Sequence, residues 1–385
     1  MPGHPTFTVL LPATRRGALA RDALTSVLEQ SFRDFEVIVS NNGADAAVRA
    51  AMEDRLDDPR VRYIEQPEIL AMPRHWELIS RLARGRYLTV VPDRSVLKQG
   101  ALAAIAEAHA GGGADAEIVT WPWDLYFTES GLLQTLSSAA PGIKVLDSEA
   151  VALDSLRIGV GYPTALARGL NSSVSQTIVG RLRDRFGAVF QPLCPDFSFA
   201  YACALAQPRL TYLLHSQMIS QGLSVSNGAR AYLTDATSYI EAVGVSEPFR
   251  YSPIKVPFVE NLIVEDFFSA CHRFGRPDLL AKVDLADPYL KCFSELDEKK
   301  AAGLLSCARI EQMAADLDRA LAGEPVDLQA RVRAGRRRPT GLQARMRRRL
   351  KQILGSRIES LRPLLTRMRG GRHFKSALQA AGHKV

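Results

Sequence analysis

No run of about 18 or more uncharged apolar residues occurs in the 385 residues, so a bilayer-spanning helix is not expected. The opening Met1-Pro2-Gly3-His4-Pro5 lacks the charged and apolar regions of a secretory signal, and the expected location is therefore cytoplasmic. Disulfide and zinc chemistry are also poorly provided for. The five cysteines (Cys194, Cys203, Cys271, Cys292, Cys307) are odd in number, never spaced as CxxC, and set among apolar residues, which favours buried thiols. No internal repeat is visible. What is present is an ordinary hydrophobic share of 46% and a length that suits about two domains, or one large domain with an extension.

The net charge of +8 is unevenly placed. Between Arg331 and Lys375 sixteen Lys or Arg stand against one acid, Glu359, so this region carries +15 and the remainder −7. A mildly acidic body with a basic tail calls for a partner of the tail alone.

The body opens with alternating elements. An apolar strand, Phe7 to Leu11, enters the turn Pro12-Ala13-Thr14-Arg15-Arg16. A helix from about Ala18 to Gln30 follows, with Leu19, Ala23, Leu24, Val27 and Leu28 on one face, and a second strand, Phe35 to Val39, ends on Ser40-Asn41-Asn42-Gly43. That is a βαβ unit. A third strand, Tyr87 to Val91, ends in Pro92-Asp93-Arg94-Ser95. In open α/β sheets ligands sit beyond the carboxyl ends of the strands, which directs attention to Thr14, Asn41 and Asp93. Further helices are expected over Ala44 to Leu56, over Pro73 to Ala83 with Gly85 closing it, and over Ala101 to His109. Residues 127 to 175 give no clear pattern. Ser220 to Gly228 reads as a polar loop. Beyond Ala229 the pattern is helical: Tyr239 to Val243, Val264 to Phe274, Asp278 to Val283 and Ala301 to Leu321. Gly323-Glu324-Pro325 marks a linker. The expected divisions are 1–230, 231–325 and 326–385.

The segment Phe7 to Gly43 resembles the opening of family 2 glycosyltransferases, which have the GT-A fold. Pro12, Ser26-Val27-Leu28, Gln30, Phe35-Glu36-Val37-Ile38-Val39-Ser40 and Gly43 match that opening position by position. Pro73-Arg74-His75-Trp76 through Ala83-Arg84-Gly85-Arg86-Tyr87 is similar to a second family block. The resemblance covers about residues 6 to 230 and thins after the first hundred. It implies an α/β, mostly parallel GT-A sheet flanked by helices, and transfer of a sugar from a nucleoside diphosphate to an acceptor hydroxyl, usually with inversion.

On that template Pro12, Ala13, Thr14, Arg15 and Asn41 hold the nucleoside, Arg74 contacts the nucleotide, and the acidic motif at the third strand's end holds the diphosphate. Asn41 stands where many members have Asp; an amide both donates and accepts, and an ordinary turn residue remains the other reading. The larger departure is Asp93-Arg94-Ser95 in place of DxD. Two carboxylates ordinarily hold Mg2+ or Mn2+; here Asp93 alone is left as a metal ligand, and a lone carboxylate binds a hard ion weakly. Arg94 brings a permanent charge and a fork of donors shaped for phosphate, so it is expected to take over part of the metal's work. At about 4 Å and an effective dielectric near 20, one such charge pair is worth roughly 4 kcal/mol before desolvation. A salt-bridged surface turn is the bland alternative.

A base must accept the acceptor's proton, and Asp196 is expected to do so, after Pro195 at the head of a helix; a simple helix cap is the alternative. His75 beside Trp76 is as readily structural as functional. His215 with the loop Ser220 to Gly228, and Trp121 with Trp123, are weaker candidates for acceptor and sugar contacts.

In the tail, Leu342, Met346, Leu350, Ile353, Leu354, Ile358, Leu361, Leu364, Leu365 and Met368 recur at helical spacing with arginines between them, the pattern of a helix lying in a membrane interface. An anionic membrane surface is thus the expected partner of 330–375; packing against the body is the alternative, and nucleic acid fits less well because aromatic interleaving is lacking. These readings converge on a hexosyltransferase-type enzyme peripheral to the inner face of the membrane, using a nucleoside diphosphate sugar and a glycan or lipid-linked acceptor. The competing expectation is an inactive sugar-nucleotide-binding scaffold.

Overall fold

The computed structural model describes residues 4–383 apart from 129, 136, 138–140, 161–162, 222–230 and 338–371. The chain divides into two compact units, one made of Met1–Val151, Thr164–Gly222 and Gly371–Val385, the other of Ala152–Pro163 and Leu223–Gly370.

The first unit is built on β1 (Phe7–Ala13), all seven of whose residues are buried, as expected of a strand covered on both faces. Helix α1 (Gly17–Leu28) buries Ala20, Ala23, Leu24, Val27 and Leu28 at helical spacing, and β2 (Phe35–Asn42) returns parallel to β1, from Phe7 opposite Phe35 to Ala13 opposite Asn41. The βαβ unit read from the pattern is therefore present. The chain continues through α2 (Ala46–Met52), β3 (Val61–Gln66), α3 (Met72–Ser80), β4 (Tyr87–Val90), β5 (Ser95–Leu97), α4 (Ala101–Gly111), β6 (Ile118–Thr120), β7 (Trp123–Phe127), β8 (Leu132–Gln134), β9 (Ile143–Asp147), α5 (Ser148–Asp154), β10 (Ser172–Ser175), α6 (Gln176–Phe186), α7 (Pro195–Ala206), β11 (Arg209–Leu213) and β12 (Met218–Gln221). One sheet has the order β3-β2-β1-β4-β10-β6-β11-β9 and is mostly parallel, with β10 and β9 running against their neighbours.

A second sheet in this unit has the order β13-β8-β7-β12-β5, where β13 is Arg372–His373. Residues 372–383 thus belong to the first unit. β13 pairs with β8, and the short helix Ala377–Ala380 brings Ala377 and Ala381 against Val96, Tyr126 and Ile219. His383 is buried with Nε2 at 2.8 Å from the Leu97 carbonyl and Nδ1 at 3.2 Å from the Glu29 carboxylate. Residues that pair and pack in this way form no part of a solvated tail.

Three local expectations need correction. Gly85 does not close α3, which ends at Ser80; a Cβ on Gly85 would stand 2.3 Å from the Thr8 nitrogen, so glycine is required where this backbone crosses β1. The first two residues of the presumed loop Ser220 to Gly228 are strand β12, and 222–228 lie outside the described residues. The patternless stretch 127–175 contains β8, β9, α5 and β10; β9 is a sheet-edge strand with exposed Ile143 and Val145, so no buried face marks it.

The second unit is helical among its described residues: α8 (Ala236–Val243), α9 (Val259–Phe274), α10 (Pro277–Leu280), α11 (Ala286–Ala301), α12 (Cys307–Ala322) and α13 (Val326–Arg337), around Phe258, Tyr289, Phe293, Met313, Leu317 and Val332. The single helix expected from Ala301 to Leu321 is instead α12, which begins at Cys307 after its Ser306 cap. α11 hides from pattern reading because its buried side holds Lys291, Glu295, Glu298 and Lys299. Lys299 donates to the carbonyls of Tyr232 (2.6 Å) and Thr234 (2.5 Å) and lies 3.3 Å from Glu295, whose carboxylate accepts the Val259 and Glu260 N–H groups at the start of α9. The residues placed at the start of the tail, 326–337, form α13 with Leu328 and Val332 in this core. The leucine and arginine stripe from Leu342 to Met368 lies outside the described residues. Among those described, no helix is long and apolar enough to cross a membrane.

Replacing Gly85 by Ala should cost about 2 kcal/mol or more, because backbone rather than a flexible side chain meets the new methyl. Urea denaturation checks this; an unchanged midpoint would remove the close-approach argument.

Candidate active site

Three chain segments meet beyond the carboxyl ends of β1 and β4. β1 runs into Thr14-Arg15-Arg16, where Arg15 takes a left-handed φ of 58° and is exposed. That turn carries Arg16 to Asp93, which follows β4 by way of Val91 and Pro92. Arg16 Nε donates to Asp93 Oδ2 at 2.8 Å, and the Thr14 N–H approaches the same oxygen at 3.4 Å. Asp93 is 2% exposed. Burial pushes its carboxyl above the ordinary carboxylate range, against the pull of Arg16 and, more weakly, Arg94.

Arg94 is held from the second sheet. Its Nη1 donates to Ser220 Oγ at 2.5 Å and to the Gln221 carbonyl at 3.4 Å, while the Gln221 N–H donates to the Arg94 carbonyl at 2.9 Å. Ser220 stands opposite Ser95 where β12 and β5 pair, so this grip is built by strand register. Burial pushes the Arg94 guanidinium down to about 10, and the charges of Arg16 and Arg168 push the same way; Asp93 and Asp196 oppose them.

Asp196 is the second residue of α7, after Pro195, whose missing N–H costs nothing at a helix start. Burial raises its carboxyl; Arg168, the N–H groups of Asp196 and Phe197, and Arg94 all favour the ionised form. Arg168 Nη1 lies 3.8 Å from Asp196 Oδ2, and its guanidinium sits over the Trp123 ring at 4.6 Å and the Phe197 ring at 5.3 Å. Aromatic faces on an arginine fix its plane and attract its charge. The result is an alternating group in which Arg16 pairs with Asp93, Arg168 pairs with Asp196, and Arg94 feels both acids.

Of the residues expected from sequence, Thr14, Asp93, Arg94 and Asp196 come together here. Pro12 and Ala13 are buried in the last two positions of β1 and shape the turn. Asn41 is fully buried: its Nδ2 donates to the Asp45 carbonyl (2.9 Å) and Tyr63 hydroxyl (3.0 Å), and its Oδ1 accepts the Asp45 N–H (3.2 Å). These bonds give it the turn role, with no exposed atom for a nucleoside. Arg74 is exposed on α3, and no contact among the described residues links it to the cluster. His75 is a core histidine, 2.8 Å from Ser40 Oγ, held neutral with its pKa near 4 by burial. Trp121 is buried as well. Arg16 and Arg168 were not anticipated. Arg16 closes the turn Pro12-Ala13-Thr14-Arg15-Arg16 but lies one residue beyond those assigned to the nucleoside; Arg168 stands in the stretch without pattern, where no periodic signal could single it out.

Residues 8–144 match Glycosyl transferase family 2. Over these residues the chain is similar to family 2 glycosyltransferases. It has the α/β, mostly parallel GT-A sheet and the helical C-terminal region that the resemblance implied. No curated protein matches. Among solved structures, S. aureus TarS 1-349 in complex with UDP-GlcNAc is 13% identical, covering 86% of this chain and 92% of that one at a TM-score of 0.47. Mannosyltransferase PcManGT from Pyrobaculum calidifontis, in complex with GDP-Man and Mn2+, is 15% identical, covering 86% of each at 0.42.

Arg16→Met strands the Asp93 carboxylate in a buried setting with a weaker partner, and should cost about 2 to 3 kcal/mol at neutral pH. Adding Asp93→Asn in the same chain should restore part of that loss. A double variant no more stable than Arg16→Met, measured by denaturant unfolding, would show that the pair is not what holds this rim.

Proposed function

We propose that this glycosyltransferase moves a hexosyl unit from a nucleoside diphosphate sugar to an acceptor hydroxyl with inversion, in assembly of a cell-surface polysaccharide or glycolipid. The observation that carries the reading is that Asp93 and Asp196, far apart in sequence, both act on the one guanidinium of Arg94. A donor-side acid and an acceptor-side acid beside a common cation suit a direct displacement. The nucleotide lies along the rim formed by Thr14, Arg15 and Asp93, with Arg74 toward its outer end. Asp196 takes the acceptor proton as the acceptor oxygen bonds to the anomeric carbon, and the bond to the diphosphate oxygen breaks with its electron pair. Burial raises the Asp196 carboxyl, so its base form develops at higher pH than for an ordinary aspartate, while Arg168 pulls in the opposite direction.

The missing second acid of the metal motif favours a different reading, an inactive scaffold that binds sugar nucleotides. Asp196 separates the two, because only the enzyme needs a base there.

The basic stripe of 330–375 supports attachment to the inner face of an anionic membrane and an acceptor that is glycan or lipid-linked. Since α13 is packed and 372–383 are docked, the segment to test is 342–368 alone. Replacing it with a Gly/Ser linker of equal length should abolish flotation with phosphatidylserine vesicles and leave the melting temperature of the protein within a few degrees.

Asp196→Asn should bind nucleoside diphosphates as the native protein does and lose transfer by about 10²-fold or more. Arg168→Gln should move the acidic limb of kcat/KM toward higher pH, since one charge favouring the ionised acid is gone. Turnover retained in Asp196→Asn would refute the base; absence of transfer by the native protein with every sugar nucleotide would support the scaffold.

A further inference from the structure

The family implies a divalent cation at the strand end, and the donor chemistry here does not suit one. Asp93 is the sole acid of the motif and its Oδ2 is already engaged by Arg16 and Thr14. The position of the second acid is Ser95, buried in β5. The other carboxylate acting on Arg94, Asp196, is paired with Arg168. No group of three His, Cys, Asp or Glu suited to a metal occurs among the described residues. A hard dication needs several anionic oxygens, and here it would enter a space bordered by three guanidiniums.

The same three guanidiniums suit an anion. Arg16 and Arg168 each face an acid, whereas Arg94, among the described residues, hydrogen-bonds through Nη1 to neutral oxygens and makes no ion pair. Three cations against two carboxylates leave one positive charge in excess. It is centred on a fork whose Nε and Nη2 are not used by those bonds. Ser220 and Gln221 fix that fork from β12, and the aromatic faces of Trp123 and Phe197 fix Arg168. A pre-oriented cation needs no reorganisation when charge appears on a leaving group.

We infer that Arg94, flanked by Arg16 and Arg168, forms a metal-independent site for the diphosphate of a sugar nucleotide, in place of the divalent ion. The inference rests on the proposed glycosyl-transfer reading and specifies how that site recognises its donor. When the anomeric bond breaks, the electron pair stays on the diphosphate and the added charge falls to the guanidiniums.

The test is calorimetric titration of the full chain with UDP, GDP, dTDP and CDP, each with the matching monophosphate, in EDTA and again in Mn2+ or Mg2+. At least one diphosphate should bind in EDTA, with a Kd changed less than about threefold by either metal. Arg94→Gln should weaken that diphosphate about tenfold or more and the monophosphate little, and Arg94→Lys should recover part of the loss. Binding of the native protein that requires metal would overturn the inference and leave glycosyl transfer standing; this arm needs no variant to fold. Equal loss for mono- and diphosphate in Arg94→Gln would also overturn it, by pointing to general damage. Failure of every nucleotide under both conditions would overturn the inference together with the reading beneath it.

Discussion

Everything at the rim of the main sheet depends on keeping one carboxylate ionised where water is scarce. A buried acid is costly unless charge and hydrogen bonds offset its lost hydration, and Asp93 is 2% exposed. Arg16 supplies most of that offset. It reaches Asp93 because β1 and β4 are adjacent parallel strands ending at the same edge and because the turn after β1 bends through Arg15 in a left-handed conformation. The geometry of the pair is thus a property of sheet order, and α1 starts immediately beyond it.

Arg94 depends on a different piece of architecture. Its partners come from β12, which pairs with β5, and the opposite side of those strands is covered by Ala377, Ala381 and His383 from the far end of the chain. The second sheet therefore gives the cation a rigid mount, and the terminal residues complete the packing beneath it. His383 reaches two groups, the Leu97 carbonyl and the Glu29 carboxylate, one from each ring nitrogen.

Much of the first hundred residues was legible because the elements are buried on regular faces. β1, α1 and β2 appear where apolar spacing placed them, and Asp93 emerges at a strand end as open α/β sheets require. What failed to show shares a cause. Arg16, Arg168 and Ser220 act through tertiary neighbours, and nothing in their local spacing distinguishes them from surface polar residues. α11 was obscured because buried lysines and glutamates stand where apolar residues would mark a helix, their charges satisfied by distant backbone groups. Asn41 stayed open between two roles because an amide suited to a ligand is equally suited to its own turn. Gly85 was rightly marked as special but for the wrong reason, since chain crossing is invisible until the fold is known.

A tethered guanidinium and a divalent ion solve the same electrostatic problem with different consequences. An ion is shared between protein and substrate and changes its ligands as the phosphates leave; a guanidinium keeps its place and charge. Burial first, and then the repulsion of fixed cations crowded together, lower the pKa of Arg94 below that of an ordinary arginine. The two aspartates limit that repulsion, and each is drawn toward its ionised form by an arginine, against the effect of burial. The acids therefore have two electrical duties, to stabilise the cations in the empty site and to leave one charge uncompensated for the incoming phosphates. Removing either acid strengthens the positive field but destabilises the resting group. An alternating arrangement is the one that keeps three arginines together before substrate arrives.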